Sequence, residues 1–107
     1  MWQKAKEFTV HIYQVTKLFP KEETYGLVNQ LRRAAVSIVS NIAEGFNRRS
    51  SKEKIQFLRM AYGSGAEIET QLVIAQELRY ISEEAYQGLL QELTEIMKII
   101  NVVLNKL

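Results

Sequence analysis

Chain breakers are almost absent: one proline, Pro20, and five glycines interrupt 107 residues, so most of the chain is free to run as continuous helix. Apolar residues recur at intervals of three and four, the spacing of a helical stripe, and no stretch alternates with the period of two that a strand requires. An all-α fold follows. The first stripe is Ala5, Phe8, Ile12, Val15 and Phe19, and Pro20 stops it by pushing the preceding residue out of the helical region. After Lys21-Glu22-Glu23-Thr24 the pattern predicts a second helix from about Tyr25 to about Glu44, carrying Leu27, Leu31, Ala34, Ile38 and Ile42, with Gly45 as its C-terminal cap.

Ser50 and Glu53 read as a capping box that opens a third helix. Leu58, Ala61, Gly65, Ile68, Leu72 and Ala75 carry it to about Tyr80. Ser82 starts the fourth, with Glu83 and Glu84 at the positive end of its dipole and Ile81 stapled to Tyr86. Leu89, Leu93, Ile96, Ile100, Val103 and Leu107 continue to the last residue. Short connections make sequential helices neighbours, so the expected architecture is one domain over residues 1–107, an antiparallel up-down-up-down four-helix bundle. Val28, Ala35, Val39 and Phe46 on helix 2, with Leu90, Met97 and Leu104 on helix 4, widen the apolar arcs. Either the small bundle fills those arcs itself or they form a second face against another subunit.

The missing residue types bear on function. With no Cys, thiolate metal sites, disulfides and Cys nucleophiles are excluded. All 12 acidic residues are Glu and His11 is the only histidine, which removes Asp-based triads and phosphoryl-transfer sites, the paired Glu-x-x-His of di-metal bundles and the His-Glu-x-x-His of zinc proteases. The expectation is a protein that is not an enzyme and uses no cofactor or metal. The longest apolar run, Leu72-Val73-Ile74-Ala75, is four residues where a membrane span needs roughly twenty. The mixed charges of the first residues do not resemble a signal peptide, so a cytoplasmic location is expected.

Charge is uneven. Eleven of the 14 Lys and Arg precede Met60, while seven of the 12 Glu follow it. Such asymmetry suits an anionic partner, above all nucleic-acid phosphates. The densest element is Arg48, Arg49, Lys52, Lys54 and Arg59 around the turn between helices 2 and 3, with Lys52 and Arg59 on one helical face. Guanidinium forks beside a helix N-terminus are suited to phosphate, although the same residues are also what an ordinary solvated turn would carry. Arg32 and Arg33 are expected level with residues 64 and 65, paired with Glu67 and Glu69. Glu44 is expected beside Lys52 and Lys54, and His11 on the surface. The costly Gly63-Ser64-Gly65-Ala66 stretch is expected to let helix 3 approach Ala34, Ala35 and Ser37 closely. Trp2 and the five Tyr form no patterned stacking platform among the basic residues, so base-specific readout is not indicated.

Residues 31–49, LRRAAVSIVSNIAEGFNRR, with Phe19-Pro20-Lys21-Glu22-Glu23-Thr24-Tyr25-Gly26-Leu27 before them and Ser64-Gly65-Ala66-Glu67-Ile68-Glu69-Thr70-Gln71-Leu72 after them, resemble the four helix bundle family also called the 23S rRNA intervening-sequence proteins. The resemblance spans nearly the whole chain. It departs at Val39, where the family commonly has a proline, implying a straighter helix 2, and at Arg79, where a glycine is common, implying a different cap on helix 3. It implies a bacterial four-helix bundle that assembles into a homopentamer, with members often encoded inside insertions of large-subunit ribosomal RNA genes. A related branch, the accessory variability determinant of diversity-generating retroelements, binds nucleic acid and a reverse transcriptase. By that similarity Arg48, Arg49, Lys52, Lys54 and Arg59 are candidates for contact with structured RNA or DNA. The alternatives are a scaffold that recruits a protein partner such as a reverse transcriptase, and an assembly with no strong ligand.

Overall fold

A computed structural model describes residues 1–107. Four helices, α1 (Trp2–Thr16), α2 (Leu27–Phe46), α3 (Ser51–Glu77) and α4 (Glu83–Lys106), are joined by short segments, the first holding a 3-10 turn at Lys21–Glu23. There are no strands, and no helix is long and apolar enough to cross a membrane.

Each helix packs on its sequence neighbours, and α1 closes the bundle against α4. The pairings run antiparallel: Thr9 Oγ1 donates to the Ala35 carbonyl (3.2 Å) and Arg32 Nη2 to the Tyr13 carbonyl (3.3 Å) between α1 and α2. Ser64 Oγ donates to Ser37 Oγ (2.9 Å) and Gln71 Nε2 to Gln30 Oε1 (3.4 Å) between α3 and α2. Lys4 pairs with Glu95 at 3.2 Å and His11 with Glu92 at 2.7 Å between α1 and α4. The up-down-up-down order follows from these contacts, in an outline of 43 × 24 × 19 Å. The axis is filled by Phe8, Ile12, Leu31, Ile38, Ile42, Ile68, Leu72, Leu93, Ile96 and Ile100. Each such buried side chain contributes roughly 1.5–3 kcal/mol relative to exposure.

The bundle takes up most of the wide arcs: Val28 and Ala35 are buried, and Val39, Met97 and Leu104 pack against the core, while Leu90 stays half-buried outside it and Phe46 is exposed.

Helix ends depart from the sequence expectation for local reasons. After Thr16 the α-helical bonding of α1 tightens into 3-10 turns, the Leu18 N–H donating to the Val15 carbonyl (3.1 Å) and the Phe19 N–H to the Thr16 carbonyl (3.1 Å), which end directly before Pro20, while Arg32 Nε donates to Thr16 Oγ1 (3.0 Å) and its Nη2 to the Tyr13 carbonyl (3.3 Å). A guanidinium from α2 thus serves the carbonyl end of α1, where positive charge is favourable. Gly45 is not a cap. It lies buried inside α2, which runs on to Phe46, facing α3, where a Cβ would make ordinary van der Waals contact with Phe57 Cβ (3.4 Å) and the Lys54 carbonyl (3.6 Å). α3 ends with Arg79 at φ 63°, its N–H donating to the Gln76 carbonyl (3.0 Å) and that of Tyr80 to the Ala75 carbonyl (2.9 Å). This is the left-handed cap that glycine usually provides, adopted here by arginine.

Candidate nucleic-acid interface

The α2–α3 turn forms one end of the bundle. Ser50 caps α3 as expected, its Oγ accepting from the Glu53 N–H (3.2 Å). The Glu53 side chain returns only as far as the Ser50 hydroxyl (3.2 Å) and also faces Arg48, with Nη1 at 3.8 Å. Arg48 is held on three sides: its Nη2 donates to Glu44 at 3.0 Å, Glu53 lies opposite, and its guanidinium stacks 4.8 Å from the Phe57 ring centroid. Glu44 therefore pairs with Arg48 one turn on, and not with Lys52 or Lys54.

The other candidates separate by face. Lys52 and Arg59, seven residues or about 10 Å apart along α3, flank an open groove with Ile55, Gln56 and Met60. Arg59 also borders a second hollow lined by Tyr62, Asn101, Leu104 and Asn105. Lys54 is half-buried on the side of α3 where Gly45 approaches. Arg49, Lys52, Lys54 and Arg59 have no carboxylate within 4 Å. The five residues share one end of the bundle without converging on one point. Arg49, Lys52 and Arg59 are its exposed, unpaired cations.

Arg32 and Arg33 are not ion-paired with Glu67 or Glu69. The register places Ser64 opposite Ser37, about one helical turn from the level expected. Arg32 instead caps α1 and lies 4.5 Å from the Tyr13 ring centroid. Gly65 faces α4, where a Cβ would overlap Met97 Sδ, rather than the small residues of α2. His11 is exposed, as expected, and its ring is tied to Glu92. No three His or Glu side chains form a cluster able to hold a metal ion.

Sequence reasoning missed a polar cavity between α2 and α3, lined by Tyr25, Asn29, Gln30, Arg33, Ser37 and Glu67 among others. The two segments that carry the family resemblance meet there, RRAAVS through Arg33 and Ser37 and SGAEIETQ through Ser64 and Glu67. Nothing in the local pattern signals it, because its residues become neighbours only through the hairpin register.

The comparisons with known proteins agree with the fold. A search of curated proteins gives no match. A solved structure, described as a protein with unknown function from the S23 ribosomal protein family of Bacteroides thetaiotaomicron, superposes with a TM-score of 0.90 at 28% sequence identity, covering 97% of this chain and 94% of that one. The family model for the 23S rRNA-intervening sequence protein matches residues 1–102. With nearly every residue inside that match and the bundle superposing on an S23 member, the chain belongs to the 23S rRNA-intervening sequence protein family.

Proposed function

We propose that this chain is a non-enzymatic helical bundle of the cytoplasm that binds structured RNA or DNA through backbone phosphates with little sequence preference, several copies acting together as a homopentamer. The observation that carries the reading is the set of exposed cations Arg49, Lys52 and Arg59 at the hairpin end with no carboxylate within 4 Å. Unpaired cations at one pole offer phosphates a site with no internal ion pair to break. Several copies in one assembly would convert a weak patch into strong binding through avidity.

The test is a titration of duplex DNA and hairpin RNA with the wild-type chain and a Lys52→Glu/Arg59→Glu variant at rising salt. Affinity should fall steeply with salt in the wild type, and the variant should lose binding while keeping its helical content, because both residues lie on the solvent face. Salt-independent binding, or a variant that binds unchanged, would refute the phosphate assignment.

A second reading rests on the adjacent Val73 and Ile74, both exposed on α3. They suit a scaffold that recruits a protein partner such as a reverse transcriptase. A partner captured by the double charge-reversal variant as well as by the wild type would favour that reading.

A further inference from the structure

The cavity between α2 and α3 has about 450 Å³, inside the range of about 300–1,000 Å³ typical of small-ligand sites. Its chemistry is unusual for a bundle surface. Tyr25, at its rim, is 93% exposed, an aromatic ring held out in water with no packing role. Arg33 has no carboxylate within 4 Å although Glu67 lines the same cavity. Asn29 and Gln30 add two carboxamides, each both donor and acceptor.

A second observation comes from Gln71, only 5% exposed behind these residues. Its Nε2 donates to Gln30 Oε1 and to Glu67 Oε1, both at 3.4 Å, and its own Oε1 is buried without any partner. The carboxylate, which can only accept, fixes that amide orientation. Gln30 therefore keeps its NH₂ free and Glu67 keeps its second oxygen, both residues lining the cavity.

An aromatic face, amides of both polarities, a carboxylate acceptor and an unpaired guanidinium are together the set that recognises a nucleotide. Aromatic rings stack on unpaired bases, Asn and Gln pair with base edges, carboxylates accept from exocyclic amino groups, and Arg grips phosphate. We propose that this cavity seats an unpaired nucleotide of single-stranded RNA or DNA, its base stacked on Tyr25 and read by Asn29, Gln30 and Glu67, its phosphate on Arg33.

The site rests on the reading that the chain handles nucleic acid, and it adds a place where a strand is read instead of merely held. It is continuous with the hairpin pole. Met60 edges the groove of Lys52 and Arg59, and Ser64 and Glu67 follow on the same side of α3 at steps of four and seven. In the observed register Arg33 lies about 13 Å along the bundle from Arg59, a span of a few nucleotides at about 3.4 Å each.

The experiment is fluorescence anisotropy with labelled single-stranded RNA and DNA ten-mers and the matching duplex, using the full chain as wild type, Tyr25→Ala, Tyr25→Trp, Arg33→Gln and Lys52→Glu/Arg59→Glu. Tyr25→Ala should weaken single-strand binding about tenfold, the loss of one stacked base, and leave the duplex unaffected. Tyr25→Trp should bind like wild type and show indole quenching on saturation. Circular dichroism checks that the fold persists, as the exposure of Tyr25 requires. Single strands that bind Tyr25→Ala and Arg33→Gln as tightly as wild type would overturn the cavity assignment, and if the duplex still loses the double variant, the hairpin reading survives it. Wild type that binds neither strands nor duplex would overturn both.

Discussion

Arg79 occupies backbone space that costs an L-residue roughly 1–2 kcal/mol relative to the right-handed helix. It does so within the paired hydrogen bonds that close the end of α3, Arg79 N–H to the Gln76 carbonyl and Tyr80 N–H to the Ala75 carbonyl. Arg79→Gly should therefore stabilise the bundle by about 0.5–1 kcal/mol, after the larger entropy a glycine loses on folding, and raise Tm by several degrees in a thermal melt. Two glycines of α3 give a sharper contrast. A Cβ at Gly63 would meet nothing within 4 Å, whereas one at Gly65 would overlap Met97 Sδ. Gly63→Ala should gain about 1 kcal/mol of helix propensity, while at Gly65 the same gain is offset by the cost of displacing the flexible Met97 thioether. The denaturant midpoint should rise for Gly63→Ala and fall short of that rise for Gly65→Ala, two residues away on one helix.

At the scale of the element, Glu23 joins three pieces of structure through one carboxylate. Oε1 accepts from the Leu27 N–H at the start of α2 (3.2 Å), and Oε2 accepts from the hydroxyl of Tyr80 beyond α3 (2.9 Å). The Tyr80 ring lies 5.5 Å from that of Phe19. The hydrogen bond to Glu23, then desolvation, then the charges of Glu23 and Glu22 raise the Tyr80 pKa above 10.0. A raised folded-state pKa means the unfolded chain loses this proton first. The stabilisation is therefore complete below the unfolded value near 10 and disappears as pH climbs through the folded value. The stability gap between wild type and Tyr80→Phe, measured by urea unfolding, should be present at pH 8 and close as pH rises past about 10.

The same element shows what a sequence can and cannot announce. Ser50 and Ser82 are legible as N-caps because their partners, the N–H groups of Glu53 and Ala85, lie three residues away. The Glu23–Tyr80 and Thr16–Arg32 contacts are not legible, since each partner is brought in by packing. The hairpin cations could be named one by one from the sequence. Their separation onto different faces, and the cavity at Tyr25 and Arg33, depend on a register that slid by about one turn from expectation.

For the whole molecule, assembly and closure are the properties at stake. If Val73 and Ile74 meet another copy, Ile74→Glu should lower the mass found by light scattering to that of a single chain without loss of helical signal, because the side chain lies outside the core. The mass should stay unchanged if the apolar patch serves no such contact. The bundle's seams also differ in how far apart along the chain their partners lie. α2 and α3 meet across a short turn and share the most extensive contact, whereas α1 must find α4 across nearly the full chain, joined at its surface by Lys4–Glu95 and His11–Glu92. Contacts between near neighbours in sequence form soonest, so the hairpin is the expected nucleus and the α1–α4 seam the last to close. That seam is also the first to breathe: amide protons of α1 and α4 should exchange with solvent ahead of those in α2 and α3, making the two outer helices a pair of flaps on a hairpin that is already assembled.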